Sequence, residues 1–437
     1  MIGRGRRAFI LIAVLVVVAS ALLVATSLLF VAQAEAAGAA GTARAVQSRA
    51  LAWSGVQAVM STLNDQRDRI LDGELPQVSA EYTIYETETR LGVVRLLPIS
   101  PGRERLVPEA GRLDLNHVDA EMLRRSGLLD AVSAQAVVAF RQNDPGRGFG
   151  SVAELLNVPG LTPETVYGPI DELTVDDEAF ASGDLAERAS ALYADETPRG
   201  VADVVTVYGF EPALQQNGKR RINLNVPWSD ELGRRLDQRF GAGSSEILRR
   251  MFESGTTFEN DAKIFGVLRF FDMDPSNWPQ IIDALTTDPG EYHFGRLDIN
   301  TASYEALVAL PGIDAEQAAA LVRVRESLSA EERATVAWPA IRGVVEPEAY
   351  DQLAGRITTR SWTYRVRIEA GEVDADEREG ALSNPVIYEA VIDLSAPKPR
   401  VAYLRDITML QTAARVAANA TPTPAPGTPG SFDDLAD

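Results

Sequence analysis

The side chains able to do chemistry in this chain are few and scattered. His117 and His293 are its only histidines and it contains no cysteine, so no thiol can act as nucleophile or soft metal ligand. Neither histidine stands beside a serine in a recognised nucleophile motif, and two imidazoles so far apart in sequence make a poor zinc set. His117 occupies a helix-start position that suits local capping or a surface contact. His293, in Tyr292-His-Phe-Gly, suits packing of a half-buried loop. Acidic groups are more numerous: Asp272/Asp274, Asp176/Asp177/Glu178 and Glu372/Asp374/Asp376/Glu377 offer the oxygens a hard cation such as calcium requires. None follows an EF-hand spacing, and each reads as a solvated charge run. The expectation is therefore no catalytic residue, no metal site and no cofactor.

Anion-binding chemistry is the other candidate, and it rests on an internal repeat. Arg112-Leu-Asp-Leu-Asn116, Arg221-Ile-Asn-Leu-Asn225 and Arg296-Leu-Asp-Ile-Asn300 are three copies of one strand-like signature. After Asn300 come helical text, the turn Pro311-Gly312-Ile-Asp314 and a second helix to Arg325, with Thr301 or Ser303 and then Asp314 as caps. After Asn116 the pattern is looser, running from Asp119 to Leu123, breaking at Gly127 and resuming from Ser133 to Gln142. A further hairpin turns at Pro159-Gly160. These are helix-hairpin-helix units. A hairpin that grips phosphate presents Gly-x-Gly with free N–H groups and basic neighbours. Here Asp314 stands where the second glycine would be, and Pro163 removes a donor near Gly160. Phosphate neutralisation needs Lys and Arg, yet the formal net charge is −20. Nucleic acid is not the expected partner. The middle copy departs from the pattern with Pro227 at a helix-opening position, and residues 245–286 read as helices with no clear repeat.

The elements that must carry these units begin with a membrane helix. Phe9 to Ala32 is an apolar run, and no charge occurs between Ala8 and Ala34. About 20 such residues cross a hydrocarbon layer of roughly 30 Å. Arg4, Arg6 and Arg7 precede the run and Glu35 follows it, which places the amino terminus in the cytoplasm and the rest outside. Ala32-Gln33-Ala34 mimics a signal-peptidase site, so a plain signal anchor and a cleaved secretory signal are competing readings. From Ala43 to Leu63, Val46, Ala50, Trp53, Val56, Met60 and Leu63 recur at steps of three and four, predicting one buried face of an amphipathic continuation. Gly38 and Gly41 lower helix propensity at the join and predict a kink or break. Tyr82–Thr89 and Leu91–Leu97 alternate as strands, as do the stretches from Thr363, Pro385 and Pro399. The Pro/Thr/Ala text from 413 to 437 cannot bury a core and reads as disordered.

Arg7-Ala8-Phe9 ahead of the apolar run resembles the signal of type IV pilins and pseudopilins, cut between Ala8 and Phe9. Ala13 stands where most pilins carry glutamate. Together with Glu109-Ala-Gly-Arg-Leu-Asp-Leu-Asn116 and Phe149-Gly-Ser-Val-Ala-Glu-Leu-Leu-Asn-Val-Pro-Gly160, this resembles the K-type minor pseudopilins of type II (general) secretion. The resemblance implies an α+β fold: a pilin-like membrane-spanning helix packed on a small antiparallel sheet, with a large inserted α-helical domain. Its parts would be a leader (1–8), a spine helix (9–65), a first β part (66–111), an insertion (112–290), a further helix-hairpin-helix unit (291–360) and closing strands (361–408). It also implies a tip subunit of the pseudopilus, marked by Ala13. Its partners would be pseudopilin subunits I and J, the major pseudopilin G, prepilin peptidase and the inner-membrane secretion platform. A DNA-uptake receptor and a type IV pilus subunit are the alternatives.

Overall fold

The computed structural model describes residues 4–99, 104–143, 148–168, 200–255, 258, 260–270, 273–378 and 380–410. Asp176/Asp177/Glu178, Asp272 and the tail at 413–437 lie outside them. A single helix, α1 (Arg4–Asn64), runs without interruption through Gly38 and Gly41, so the expected break is absent. Two glycines cost about 1 kcal/mol each in a helix, less than the many flanking alanines, leucines and valines supply. At about 1.5 Å per residue α1 is roughly 90 Å long. From Val14 its front part is long and apolar enough to span a membrane and is fully exposed, consistent with a single-pass anchor.

The rear of α1 lies across an antiparallel sheet made of β1 (Glu81–Glu86), β2 (Arg90–Leu97), β3 (Leu106–Pro108) and three later strands. Short strands follow in the intervening chain: β4 (Leu113–Asp114), β5 (Val205–Thr206), β6 (Phe210–Pro212), β7 (Ile222–Asn223), β8 (Leu285–Thr286), β9 (Tyr292–Phe294), β10 (Leu297–Asp298) and β11 (Ile357–Thr358). The sheet is completed by β12 (Thr363–Asp374), β13 (Ser383–Asp393) and β14 (Arg400–Asp406) in the order β1-β2-β12-β13-β14, with β3 also on β12. β12 pairs first with β3, Tyr364 opposite Pro108, and then with β2, Arg367 opposite Leu97. The chain thus leaves the sheet after Pro108 and returns beside it at Thr363. Residues 109–362 form an excursion between neighbouring strands, with helices and strand pairs around their own core of Leu115, Leu123, Leu155, Leu307, Trp338 and Tyr350.

The face of α1 that packs on the sheet is Ser48, Leu51, Ala52, Val56, Val59 and Leu63. Burying side chains such as Leu51, Val59 and Leu63 contributes about 1.5–3 kcal/mol each. Val56, Met60 and Leu63 of the predicted face pack here, but its first half is corrected, because Val46 and Trp53 are 58% and 45% exposed and Ala50 is exposed too. The helix is rotated so that its small residues meet the strands. A Cβ on Gly55 would stand 2.5 Å from Val94 Cγ1, so glycine there sets how closely helix and sheet approach. Gly55→Val is expected to destabilise the helix–sheet unit by about 2 kcal/mol through overpacking. Thermal melting would show the loss, and adding Val94→Ala should recover part of it. An unchanged melting temperature would mean that the approach is not tight.

Candidate functional site

The three signatures occupy equivalent places. Each supplies a two-residue strand that pairs in parallel with a later apolar-Thr dipeptide: β4 with Val205-Thr206, β7 with Leu285-Thr286 and β10 with Ile357-Thr358. In each strand the Asp or Asn side chain accepts the N–H two residues on, from Asn116, Asn225 and Asn300 at 2.8–3.0 Å. Each threonine hydroxyl likewise accepts the N–H two residues on, from Tyr208, Asp288 and Arg360. Such side-chain turns end a strand after two residues by offering the backbone a local partner. Asn116 and Asn300 then pin segments 33 residues downstream, Asn116 through Phe149 and Asn300 through Arg333. Arg141 and Arg325 each reach back 23 residues to a carbonyl, of Val118 and Ala302.

Helices follow both outer signatures. Ala120–Arg125 is capped by Asp119 and followed by Ala131–Asn143. Tyr304–Ala309 is capped by Ser303, and Ala315–Arg325 by a capping box of Asp314 and Gln317. The first helices of the two units pack on each other. In the middle copy, Asn225 is exposed, and the chain forms Asp230–Phe240 and Ser244–Glu253 around a separate small core of Leu232, Leu236 and Phe258.

The signature arginines all point into buried charge clusters. Arg296 binds Asp261 at 2.6 Å and lies 3.5 Å from Glu211. Glu211 also accepts from the Thr358 hydroxyl at 2.8 Å, and His293 Nδ1 is 3.7 Å away. Burial opposes ionisation of Glu211, but His293 and the charges of Arg221 and Arg296 outweigh it and hold the carboxyl far below its ordinary range. Arg112 lies beside Glu109, a fully buried carboxylate that binds Arg365 Nε at 2.6 Å and accepts from Thr206. Arg365 continues to Glu389 at 2.7 Å. Burial again opposes ionisation, and Arg365 with Arg367 draws Glu389 down to about 2. Because Glu109 follows β3 and Arg365 lies on β12, this cluster ties the excursion to the sheet at its neck.

Three N–H donors beside the two turns are engaged. Gly160 and Gly312 adopt φ of +90° and +77°, a left-handed conformation that favours glycine. Leu161 N–H bonds to Val158 O, Ile313 N–H to Leu310 O and Asp314 N–H to the Gln317 side chain. Arg125 donates to the carbonyls of Val308 and Ile313, so the turn after Pro311 rests against the first unit. Pro159 and Pro311 lead into these turns.

His117 bonds to Asp114 at 2.7 Å and stacks on Phe294, a local surface contact. His293 is a correction: it is fully buried on β9, opposite Glu211 of β6, and not in a loop. Of the acidic groups, Asp274 caps Ser276 N–H and Glu372 pairs with Arg90 at 2.8 Å. Among the described residues no three His, Cys, Asp or Glu side chains gather as a metal set.

Ala8, Phe9 and Ala13 lie on α1. Further along, Val46, Ala50 and Trp53 present an exposed apolar stripe opposite the sheet. Sequence reasoning missed the three threonines that close the repeats. Their one signal is a shared apolar-Thr pair followed by Val or Thr, too short to stand out before the pairing is seen. Compared with known proteins, the chain matches no family model and no curated protein sequence.

Proposed function

We propose that this chain is a non-catalytic minor pseudopilin of a type II secretion system, placed at the tip of the pseudopilus, with its amino terminus cytoplasmic and its bulk periplasmic. The observation that carries the reading is α1. One uninterrupted helix runs from an exposed apolar half onto an antiparallel sheet, while Val46, Ala50 and Trp53 stay uncovered. Exposed large apolar residues aligned on a helix mark a surface made for another apolar surface, and sister pseudopilin helices have that form. The large excursion between β3 and β12 is too bulky to repeat along a packed filament, which supports a terminal position. The net charge of −20 and the carboxylate of Asp314 beside the second turn favour a protein assembly over a DNA receptor. Paired helices after the outer signatures support the helix-hairpin-helix assignment.

The mature protein is then expected to begin at Phe9, and intact-mass measurement reads this directly. A chain starting at Met1 or Glu35 would remove the assignment. Trp53→Asp is expected to abolish co-purification with sister pseudopilins while leaving the melting temperature within about 1 °C, since surface changes rarely move stability by more than about 0.5 kcal/mol. Ala13→Glu should alter assembly little if the tip position holds.

A further inference from the structure

A cavity of about 200 Å³ opens between the sheet and the first repeat. Along β12, Tyr364, Val366 and Ile368 belong to the core shared with α1, so the alternation of a strand turns Arg365 and Arg367 to the opposite face, where they line the cavity. Tyr403 and Arg405 of β14 continue that side. Arg112, Tyr167 and Tyr208 come from the excursion.

The cavity holds a guanidinium to which nothing is bonded. Arg112 is 9% exposed, and among the described residues its side chain has neither a hydrogen-bond acceptor nor an ion pair. Glu109, the carboxylate that acts on it most strongly, is bonded to Arg365 Nε at 2.6 Å and to Thr206. None of the Arg112 nitrogens is sealed off, so the surface it keeps open faces this space. Burial is the largest influence on the group and lowers its pKa, as it does for a cation without a bonded counterion.

Other donors converge there. The hydroxyls of Tyr167, Tyr208 and Tyr403 make no hydrogen bond among the described residues. Tyr208 lies within electrostatic reach of Arg365 and Tyr403, and Tyr167 within reach of Arg405 and Tyr403. Of the two carboxylates in the lining, Glu389 already accepts from Arg365 Nη1 and Arg367 Nη2 at 2.7 and 2.8 Å, and Asp203 acts on Arg112 more weakly than Glu109 does. Together with Glu109 they set three carboxylates against the four guanidinium groups of Arg112, Arg365, Arg367 and Arg405. Among the described residues one positive charge is left over. That balance suits a monoanion, because a second negative charge would be repelled by Glu389 and Asp203. A guanidinium matches the two oxygens of a carboxylate, and Ile99, Val152 and Ala202 with the tyrosine rings supply an apolar wall.

We propose that this cavity binds a small organic carboxylate, its oxygens received by the Arg112 guanidinium and the tyrosine hydroxyls, its apolar body against Ile99, Val152 and the tyrosine rings. An occupant touches both the sheet and the excursion at their neck. The inference does not depend on the secretion assignment.

The test uses the full chain in detergent, titrated calorimetrically with benzoate, with benzamide, which has the same shape and no charge, and with inorganic phosphate, at an ionic strength matched with chloride. Benzoate is expected to bind one-to-one, and benzamide and phosphate at least about tenfold more weakly, the loss of one charge-assisted bond. Arg112→Gln should weaken benzoate about tenfold for the same reason, with a melting temperature in chloride no lower than that of the original chain. Should Arg112→Gln fail to fold, Arg405→Gln on the exposed edge strand decides: the loss of one exposed charge should weaken benzoate about threefold, and unchanged binding overturns the inference. It is equally overturned if benzoate is indistinguishable from chloride, if benzamide or phosphate binds as tightly as benzoate, or if a folded Arg112→Gln chain binds benzoate as the original does.

Discussion

Glu211→Ala is expected to lower the stability of the excursion by about 3–5 kcal/mol, the usual cost of removing one partner from a buried ion cluster. The side chain is 3% exposed and stands between Arg221, Arg296 and Thr358. Without it, Asp261 remains as the direct ion partner of Arg296 at 2.6 Å, Arg221 loses the countercharge that acts on it most strongly, and the Thr358 hydroxyl loses its acceptor. At about 2–4 °C per kcal/mol for a unit of this size, the melting temperature should fall by roughly 10 °C. Tryptophan fluorescence follows the transition, because Trp278 and Trp338 lie in the excursion core. Glu211→Gln keeps an acceptor for Thr358 and should cost about half as much. Since the folded carboxyl titrates below its unfolded counterpart, its contribution is present at neutral pH and is lost as the pH falls through the acid range. A Glu211→Ala protein that melts with the original would show that the cluster contributes nothing net.

Asp298→Asn carries the opposite sign. Burial raises this carboxyl from 3.8 to about 6, so at pH 7 the folded state holds a buried charge that the unfolded chain would hydrate. A shift of that size corresponds to about 3 kcal/mol. Asparagine preserves the acceptor for Asn300 N–H but makes Thr301 reorient its hydroxyl, so a net gain of about 1–3 kcal/mol is expected at pH 7. In the original chain the folded state takes up this proton between about pH 6 and pH 3.8 while the unfolded state does not, so stability from this group rises as pH falls. The advantage of the variant should therefore shrink from pH 7 to pH 4.5, read by chemical denaturation at both values. A variant less stable at pH 7, or an advantage independent of pH, would contradict the buried-charge account.

The parts of the chain legible in sequence were those whose signal is local. The apolar run after Arg7 and the alternation of β1, β2, β12, β13 and β14 depend on hydrophobic periodicity alone, and the caps at Ser303 and Asp314 on residue type at a helix start. The first half of the packed face of α1 was misread because Ser48, Ala52 and Gly55 are small and weakly apolar, whereas Val46 and Trp53 look like core residues. Burial of a helix face depends on what approaches it, and a sheet packs closest where side chains are smallest. His293 was misread for a related reason: four residues of local text do not reveal that Glu211, across a strand pair, will stand opposite.

The site residues divide in the same way. Arg112, Arg221 and Arg296 could be recognised as a repeat, but their partners Glu109, Glu211 and Asp261 bear no fixed offset to them. By itself the sequence determined that the chain carries one span-length apolar helix, several alternating strands and a repeated Arg-apolar-Asp/Asn-apolar-Asn unit, because these are properties of neighbours along the chain. Only the tertiary structure decided that β3 and β12 are partners on either side of the excursion, and that each signature closes on a distant threonine. Those depend on the meeting of residues far apart in sequence, and a buried charge or donor takes its character from whichever groups surround it once water is gone.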